Sequence, residues 1–406
     1  MPLAAQQPVR IRPPRVIVFG FLATFASSFG QTFFIGLFNP QFQVAIGVDG
    51  SQLGLLYGIA TLASGTSLFW LGGMLDRISL PQATALTIGI FTSGTLLAGG
   101  ASTSILLLLA FFLLRLGGQG FMMHLGIVAA ARRDGSHKGK AIAWASMGVI
   151  VGEATLPAMV VAALSEVQWR WLWTMIGAVL LLLVLPVLTT LSRGLNWRGD
   201  TQDEAQPAGA IHRRRILLRQ PTFWASLALL LASPFMTTGF LFEQTVFSRQ
   251  MHWHPGLIGA AFTVFALCRA FGTWSYGRAS DRFGAVPMSR IHLIPMAMAF
   301  ACLALPLGSA SIWAVFAGLG YTNGASSLLG GALWVELFGA ASMGLVRGVF
   351  MACVVASTAM APMVLGTLLS HGVRAGAIGV AFAAYCAAAM LLAGPLLHRH
   401  ARKLAL

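Results

Sequence analysis

Long apolar runs of about 20 residues follow one another along almost the whole chain, separated by short polar breaks. In helical form a run of this length spans the hydrocarbon core of a bilayer. Only 9% of the 406 residues are charged, whereas soluble proteins carry about 25%. The chain therefore lacks the polar surface of a water-soluble protein, and we predict an all-α membrane protein, since unpaired backbone cannot face lipid.

The apolar runs predict twelve transmembrane helices, and the longest polar stretch divides them into two groups of six. We predict an N-terminal six-helix bundle over residues 1–191, a cytoplasmic linker over 192–220 and a C-terminal six-helix bundle over 221–406. The predicted helices cover residues 16–38, 51–75, 81–100, 103–131, 141–164, 168–191, 221–247, 255–276, 287–309, 311–335, 343–368 and 374–397.

Basic residues are distributed unevenly over the predicted loops. Of the 26 Lys and Arg residues, 21 lie in the termini and in the loops on the same side, and three lie in the opposite loops. Because cytoplasmic loops carry the excess of Lys and Arg, both termini are predicted to be cytoplasmic. The net charge of +15 is thereby explained by topology, and we expect no nucleic-acid partner. The expected location is the inner (plasma) membrane, with the lipid bilayer as partner and a monomeric chain.

A short motif recurs after the second and eighth predicted helices, where residues 72–77 and 277–282 both read Gly-x-x-x-Asp-Arg. Three pairs of residues share the same separation of 205 positions: Asp76 with Asp281, Pro157 with Pro362, and Gly126 with Gly331. Three landmarks at one offset indicate a duplicated six-helix unit.

The repeated motif is predicted to form a cytoplasmic gate. Each Asp can face the N-terminus of a neighbouring helix, whose free amides favour a negative charge, and the adjacent Arg can add an ion pair. The alternative is a tight turn with solvated charges. We interpret Asp76, Arg77, Asp281 and Arg282 as a latch that is closed in one conformation and released in the other.

The two motifs, the twelve-helix pattern and the central linker together resemble the major facilitator superfamily of secondary transporters. The sequence Arg115-Leu-Gly-Gly-Gln119-Gly120 is similar to a helix 4 motif of that family. The resemblance covers essentially the whole chain. It implies two six-helix bundles that rock about a central site and expose it to one side of the membrane at a time, with no catalytic residue, metal or cofactor.

Ionisable residues inside the predicted helices bear most directly on the substrate, because a charge is costly there and usually faces a partner or a cavity. Arg115, Glu153 and Arg269 lie within the fourth, fifth and eighth helices. Gly148 and Gly152 provide a small-residue face for close packing, so that Glu153 can pair with Arg115. Arg269 is then left without a fixed counter-ion, and we predict that it binds an anionic substrate, ideally a carboxylate held by two hydrogen bonds.

Two alternatives stay open for these charges. Arg269 can form a structural pair with Glu243, and Glu153 can either carry protons for coupling or be a static partner of Arg115. Other polar residues, on helices expected to line the centre or reach it, complete the candidate substrate site. These residues are Gln31, Thr32, Tyr57, Gln119, Thr238, Tyr321 and Asn323.

Two further segments, residues 29–34 and 331–339, look like those of bacterial carriers related to the monocarboxylate transporters. In that group a helix 8 arginine binds the substrate carboxylate, and Arg269 is the matching position. The resemblance implies a carrier for a small organic anion such as a monocarboxylate, coupled to protons in symport or to a counter-substrate.

A multidrug or metabolite efflux antiporter is the main alternative. The antiporter signature has Gly-Pro in helix 5, whereas this chain has Gly152-Glu153. The sequence contains no Walker-type phosphate-binding motif, so we do not expect a nucleotide-driven pump. The helices also lack an arrangement of catalytic side chains, so we expect no enzyme activity.

Overall fold

The computed structural model describes residues 15–75, 77–132, 138–195, 215, 217–339 and 342–404, and these residues contain no β-strand. Twelve long helices, α1–α12, follow one another through this part of the chain. They cover Arg15–Gly30 and Thr32–Ile46 (the two arms of α1), Gly50–Leu75 (α2), Leu80–Gly99 (α3), Ser104–Ala131 (α4), Lys138–Glu166 (α5), Trp169–Ser192 (α6), Pro221–Phe242 (α7), Pro255–Phe283 (α8), Ala285–Ala304 (α9), Ser311–Phe338 (α10), Met343–Ser370 (α11) and Ala375–Leu404 (α12).

Each predicted helix has a counterpart in the structure, which confirms the all-helical class. The largest differences are at helices that continue beyond their apolar run. α8, for example, extends through the motif that was predicted to follow it, because no residue disrupts the helix before Gly284, which has a φ of +87°. Gly tolerates this conformation because it has no β-carbon.

Eight of the described helices, α4–α9, α11 and α12, are long and apolar enough to cross a membrane, and α1 makes nine if its two arms, bent by 43°, form one span. The other three helices, α2, α3 and α10, are rich in Gly, Ser and Thr. Small residues lower the mean hydropathy of a helix but allow close packing against neighbours. The count of twelve spans and the cytoplasmic termini stay predictions.

α2 of the first half of the chain packs along α11 of the second half. Gly50, Gly54 and Gly58 recur at every fourth position of α2 and face α11. A β-carbon added at Gly54 would lie 2.9 Å from the carbonyl carbon of Pro362, and one at Gly58 would lie 2.7 Å from a carbonyl oxygen of α11. Glycine is therefore required for this close approach of two backbones, as at other helix contacts in membranes.

The contacts between the two halves of the chain concentrate at one end of the molecule, which we call the closed end. It is formed by the second arm of α1, the start of α2, and the ends of α7 and α11. Asn39 Nδ2 donates to the carbonyl oxygen of Phe242 at 2.6 Å. The hydroxyls of Ser51 and Thr367 are hydrogen-bonded at 3.0 Å.

The same helices separate toward the opposite end, the open end, where α1 begins and α12 ends. A β-carbon added at Gly73 of α2, or at Gly344 or Gly348 of α11, would meet no described atom within 4 Å. A cavity of about 710 Å³ lies at this end and is lined mainly by α5 and α8. Among the described residues, the two halves therefore meet at the closed end and border a cavity at the open end.

Candidate substrate site

Glu153 of α5 and Arg269 of α8 form an ion pair that joins the two halves of the chain. Arg269 Nη1 donates to Glu153 Oε1. The Glu153 side chain is 9% exposed and the Arg269 side chain is 24% exposed, so only the arginine has appreciable access to water. The expected pairing of Glu153 with Arg115 is wrong, and so is the alternative pairing of Arg269 with Glu243.

The packing of α5 explains this correction. A β-carbon added at Gly148 would lie 2.8 Å from the amide nitrogen of Phe25, and one at Gly152 would lie 2.8 Å from Ser28 Cβ. The small-residue face of α5 therefore packs against α1. Glu153, the next residue along α5, is directed to α8 instead of α4.

Arg115 lacks a carboxylate partner among the described residues. It is 5% exposed, and its Nη1 donates to Thr32 Oγ1 at 3.2 Å. Its guanidinium carbon lies 5.3 Å from the centre of the Tyr57 ring, and Thr32 Oγ1 lies 2.7 Å from Tyr57 Oη. Arg115 Nε has no hydrogen-bond partner. The buried charge is thus surrounded by neutral groups. The prediction gave Arg115 the carboxylate partner and left Arg269 without one, whereas the structure has the opposite arrangement.

Local backbone irregularities position this Arg115 cluster, which we define as Arg115, Thr32 and Tyr57. α1 breaks at Gln31, whose backbone is extended with φ −85° and ψ 154°, and Thr32 starts the second arm. α4 widens to a π-helix over Arg115–Met122, a feature that often marks functional sites. Gln119 lies in this wide turn, and its Oε1 is buried without a partner.

The Arg115 cluster also reaches the second half of the chain through Tyr57. The Tyr57 side chain is fully buried, and its ring centre lies 4.4 Å from that of Phe242, the last residue of α7. Any movement that separates α7 from α2 must therefore uncover the polar groups around Arg115.

The two candidates on α10 belong to a different contact region. Tyr321 Oη accepts a hydrogen bond from Ser275 Oγ of α8 at 3.1 Å, and its ring packs beside those of Phe271 and Tyr276. Asn323 is half-buried on the same helix. Gln31 is also half-buried, next to the Arg115 cluster. The structure thus brings Arg115 and Tyr57 together, and Gln31 precedes their shared contact Thr32, whereas Tyr321 lies against α8.

The cavity at the open end has Arg269 in its wall and Lys140 among its lining residues. Most of the remaining lining is apolar. It includes Trp144, Met147 and Trp274, together with residues of α4 and α10. Of the two cationic groups, Arg269 is paired with Glu153, whereas Lys140 lies at an exposed position.

Of the predicted gate residues, Arg77, Asp281 and Arg282 are exposed, and Asp76 lies outside the described residues. At the start of α9, which follows the second motif, the carboxylate contact is made by Glu336 of α10. It accepts hydrogen bonds from the amide nitrogens of Ala285 at 2.6 Å and Val286 at 3.3 Å. Because α8 continues through the motif, Asp281 lies within α8, whereas the motif was predicted to follow the helix.

Among the described residues, no group of three or more His, Cys, Asp or Glu side chains could hold a metal ion. Thr32, which contacts Arg115, was among the polar residues predicted on helices that line the centre.

The sequence profile of the Major Facilitator Superfamily matches residues 20–362. The chain belongs to the major facilitator superfamily. Membership of this transporter family implies a protein embedded in the membrane that moves a small-molecule substrate, and it indicates a transporter and not an enzyme.

Solved transporters share the fold of this family member. A bacterial homologue of the human lysosomal transporter Spinster, in an inward-facing and unoccupied conformation, has a TM-score of 0.70 and 19% identity, and the alignment covers 96% of this chain and 98% of that chain. The nucleoside transporter NupG has a TM-score of 0.73 and 13% identity, with 95% and 98% covered. At these identities the likeness shows the fold alone. No curated protein matches the chain.

Proposed function

We propose that this transporter moves a small organic anion, such as a monocarboxylate, by alternating access coupled to protons or to a counter-substrate. The observation that carries this proposal is the buried Arg115 guanidinium, 5% exposed, whose described partners are the Thr32 hydroxyl and the Tyr57 ring. A buried charge without a counter-ion is costly. A substrate carboxylate would supply the missing negative charge.

The geometry of Arg115 suits this role. Its Nε has no hydrogen-bond partner, and a guanidinium binds a carboxylate through two parallel N–H donors. The hydroxyls of Thr32 and Tyr57 lie beside it. We propose Gln31 and Gln119 as further polar contacts to the substrate, and Tyr321 and Asn323 as contacts on the side of α10.

The Glu153–Arg269 pair supports a route for coupling. A proton on Glu153 would neutralise the carboxylate and release the Arg269 guanidinium, which already lines the cavity, to bind a substrate anion. Proton binding and anion binding would then favour each other. We therefore propose Glu153 as the coupling residue and Arg269 as the second anion contact.

The shape of the molecule supports alternating access. We propose that the two predicted bundles, residues 1–191 and 221–406, rock about the α2–α11 and α5–α8 contacts, connected by the linker 192–220. With twelve spans and cytoplasmic termini in the inner (plasma) membrane, the open end would face the cytoplasm, as in the inward-facing Spinster homologue. The exposed Asp281 and Arg282, with Asp76 and Arg77, would form the gate when this end closes.

The apolar cavity wall around Trp144, Met147 and Trp274 favours one alternative, efflux of an apolar or amphiphilic compound by an antiporter. A substrate screen separates the two functions. Thermal unfolding of the purified monomer is measured with mono-, di- and tricarboxylates, nucleosides, sugars and cationic drugs. We expect stabilisation by carboxylates, whereas stabilisation by cationic drugs alone would support the antiporter.

Substitution of Arg115 then tests the proposed contact. Loss of a charge-assisted hydrogen bond costs about 1.5–3 kcal/mol, so Arg115→Gln is expected to weaken carboxylate binding about 10- to 150-fold. Arg193→Gln, at an exposed position of the chain, is the matched control and should bind as the wild type does. Unchanged affinity in Arg115→Gln would contradict the proposal.

A further inference from the structure

A buried acidic side chain lies at the closed end. Glu243, the first residue after α7, is 1% exposed, and its Oε1 has no hydrogen-bond partner. No basic side chain of the described residues lies within 4 Å of its carboxylate. The carboxyl group is therefore enclosed without the cation that would stabilise its ionised form.

The enclosure is formed by helices from both halves of the chain. A β-carbon added at Gly366 of α11 would lie 3.2 Å from Glu243 Oε1 and 3.0 Å from the carbonyl carbon of Gly50, where α2 begins. The carboxyl group thus lies at the seam between the start of α2 and the ends of α7 and α11. Separation of α2 from α11 would expose it to water.

The other titratable and charged groups around this seam are exposed to solvent. The second arm of α1 contributes no titratable side chain to the closed end. Asp49 lies before α2, and Arg249 lies in the helix Gln244–Gln250 after α7, with His252 and His254 following it. His371 lies at the end of α11, and Arg374 lies before α12. Exposed groups interact weakly with a buried carboxyl because water screens them, so desolvation dominates at Glu243.

Desolvation disfavours the charged form of an acid. Burial raises the pKa of Glu243 from 4.5 to about 8, and the Arg249 charge offsets only part of this rise. When the seam opens, water reaches the carboxyl group and its pKa returns toward the ordinary value. The closed state therefore binds one proton more than the open state over the intervening pH range.

We propose that Glu243 is a proton-binding switch of the closed end, which holds α2, α7 and α11 together when the carboxyl is protonated and allows them to separate when it ionises. The inference rests on the proposed alternating access and adds a proton site to it, apart from the Glu153–Arg269 pair. Between pH 4.5 and 8 the closed-to-open ratio should fall by up to about tenfold for each unit of rising pH.

Electron–electron distance measurements on the full chain in lipid nanodiscs test this switch. Spin labels are attached to Val44→Cys and Leu305→Cys, which lie at the closed end in different halves of the chain, are 87% and 51% exposed, and lie outside the seam. The four native cysteines, Cys268, Cys302, Cys353 and Cys386, are first replaced by Ala. Distances are recorded from pH 5 to pH 9 without substrate.

The wild type is expected to lose its short-distance population as the pH rises. Glu243→Gln, which is permanently neutral and similar in shape, is expected to keep that population at every pH. Glu166→Gln removes an exposed carboxylate at the same end and should respond like the wild type. A wild-type population that does not change with pH, or a pH response that survives in Glu243→Gln, would overturn the proposal.

Thermal unfolding of the same variants separates the switch from a purely structural role. Glu243→Gln should be at least as stable as the wild type at pH 9, because it does not bury an ionised group. A loss of stability at pH 5 and at pH 9 alike would overturn the proposal. Because these measurements contain no substrate, absence of anion binding would refute the proposed substrate and leave the Glu243 result unchanged.

Discussion

The seam between α2 and α11 offers a direct test of how the closed end is held together. Gly54 of α2 faces Pro362 of α11 so closely that a β-carbon would lie 2.9 Å from the Pro362 carbonyl carbon, against 3.4 Å or more for ordinary contact. Gly54→Ala would therefore force the two helices apart by at least about 0.5 Å at a point where both partners are backbone atoms.

The magnitude follows from the cost of overpacking, about 1–3 kcal/mol when a methyl group is inserted into a packed contact. Alanine also stabilises a helix by about 1 kcal/mol relative to glycine, but α2 is helical in either conformation, so this gain cancels between them. The closed-to-open ratio is thus expected to fall about 5- to 150-fold.

Gly73→Ala is the matched control. It lies in the same helix, gains the same helix propensity, and meets no described atom within 4 Å. The spin-label distances between positions 44 and 305, recorded at pH 6, measure both variants. We expect the long-distance population to increase in Gly54→Ala and to stay at the wild-type level in Gly73→Ala. Equal populations in the two variants would refute the role of the glycine seam.

Two further predictions concern charged groups. Glu153→Gln is expected to reduce accumulation driven by a pH gradient about tenfold or more in proteoliposomes while counter-substrate exchange persists, whereas equal losses in both assays would indicate a static ion pair. Glu336→Gln removes the negative charge at the start of α9. Such a charge stabilises an exposed helix N-terminus by about 0.3–1 kcal/mol, so the Ala285 and Val286 amides should exchange hydrogen about 2- to 5-fold faster in the variant. Unchanged exchange rates would show that the Glu336 charge does not stabilise this helix start.

Helix positions could be predicted from the sequence because length and apolar character are properties of neighbouring residues. The spacing of Gly50, Gly54 and Gly58 also contained a signal for close helix packing, although the helix that Gly54 contacts could not be read from it. The same limit applies to Gly148 and Gly152, since a small-residue face shows that a neighbour approaches closely and does not specify which one.

The predicted charge pairing was wrong. The carboxylate of Glu153 was assigned to Arg115, whereas it pairs with Arg269. That assignment rested on the small-residue face of Gly148 and Gly152, which packs against α1. The motif at Asp281 was similarly placed after a helix, whereas α8 continues through it and Glu336 occupies the adjacent helix start.

The sequence by itself determined that this chain is helical and apolar, where its helices lie, and which few ionisable residues they contain. Only the tertiary structure decided which arginine keeps a carboxylate, which end of the molecule is closed, and that Glu243 is enclosed between the two halves. The reason is physical: helix formation depends on contacts within four residues, whereas charge pairing and burial depend on how each helix is rotated about its axis and on which distant helix it meets.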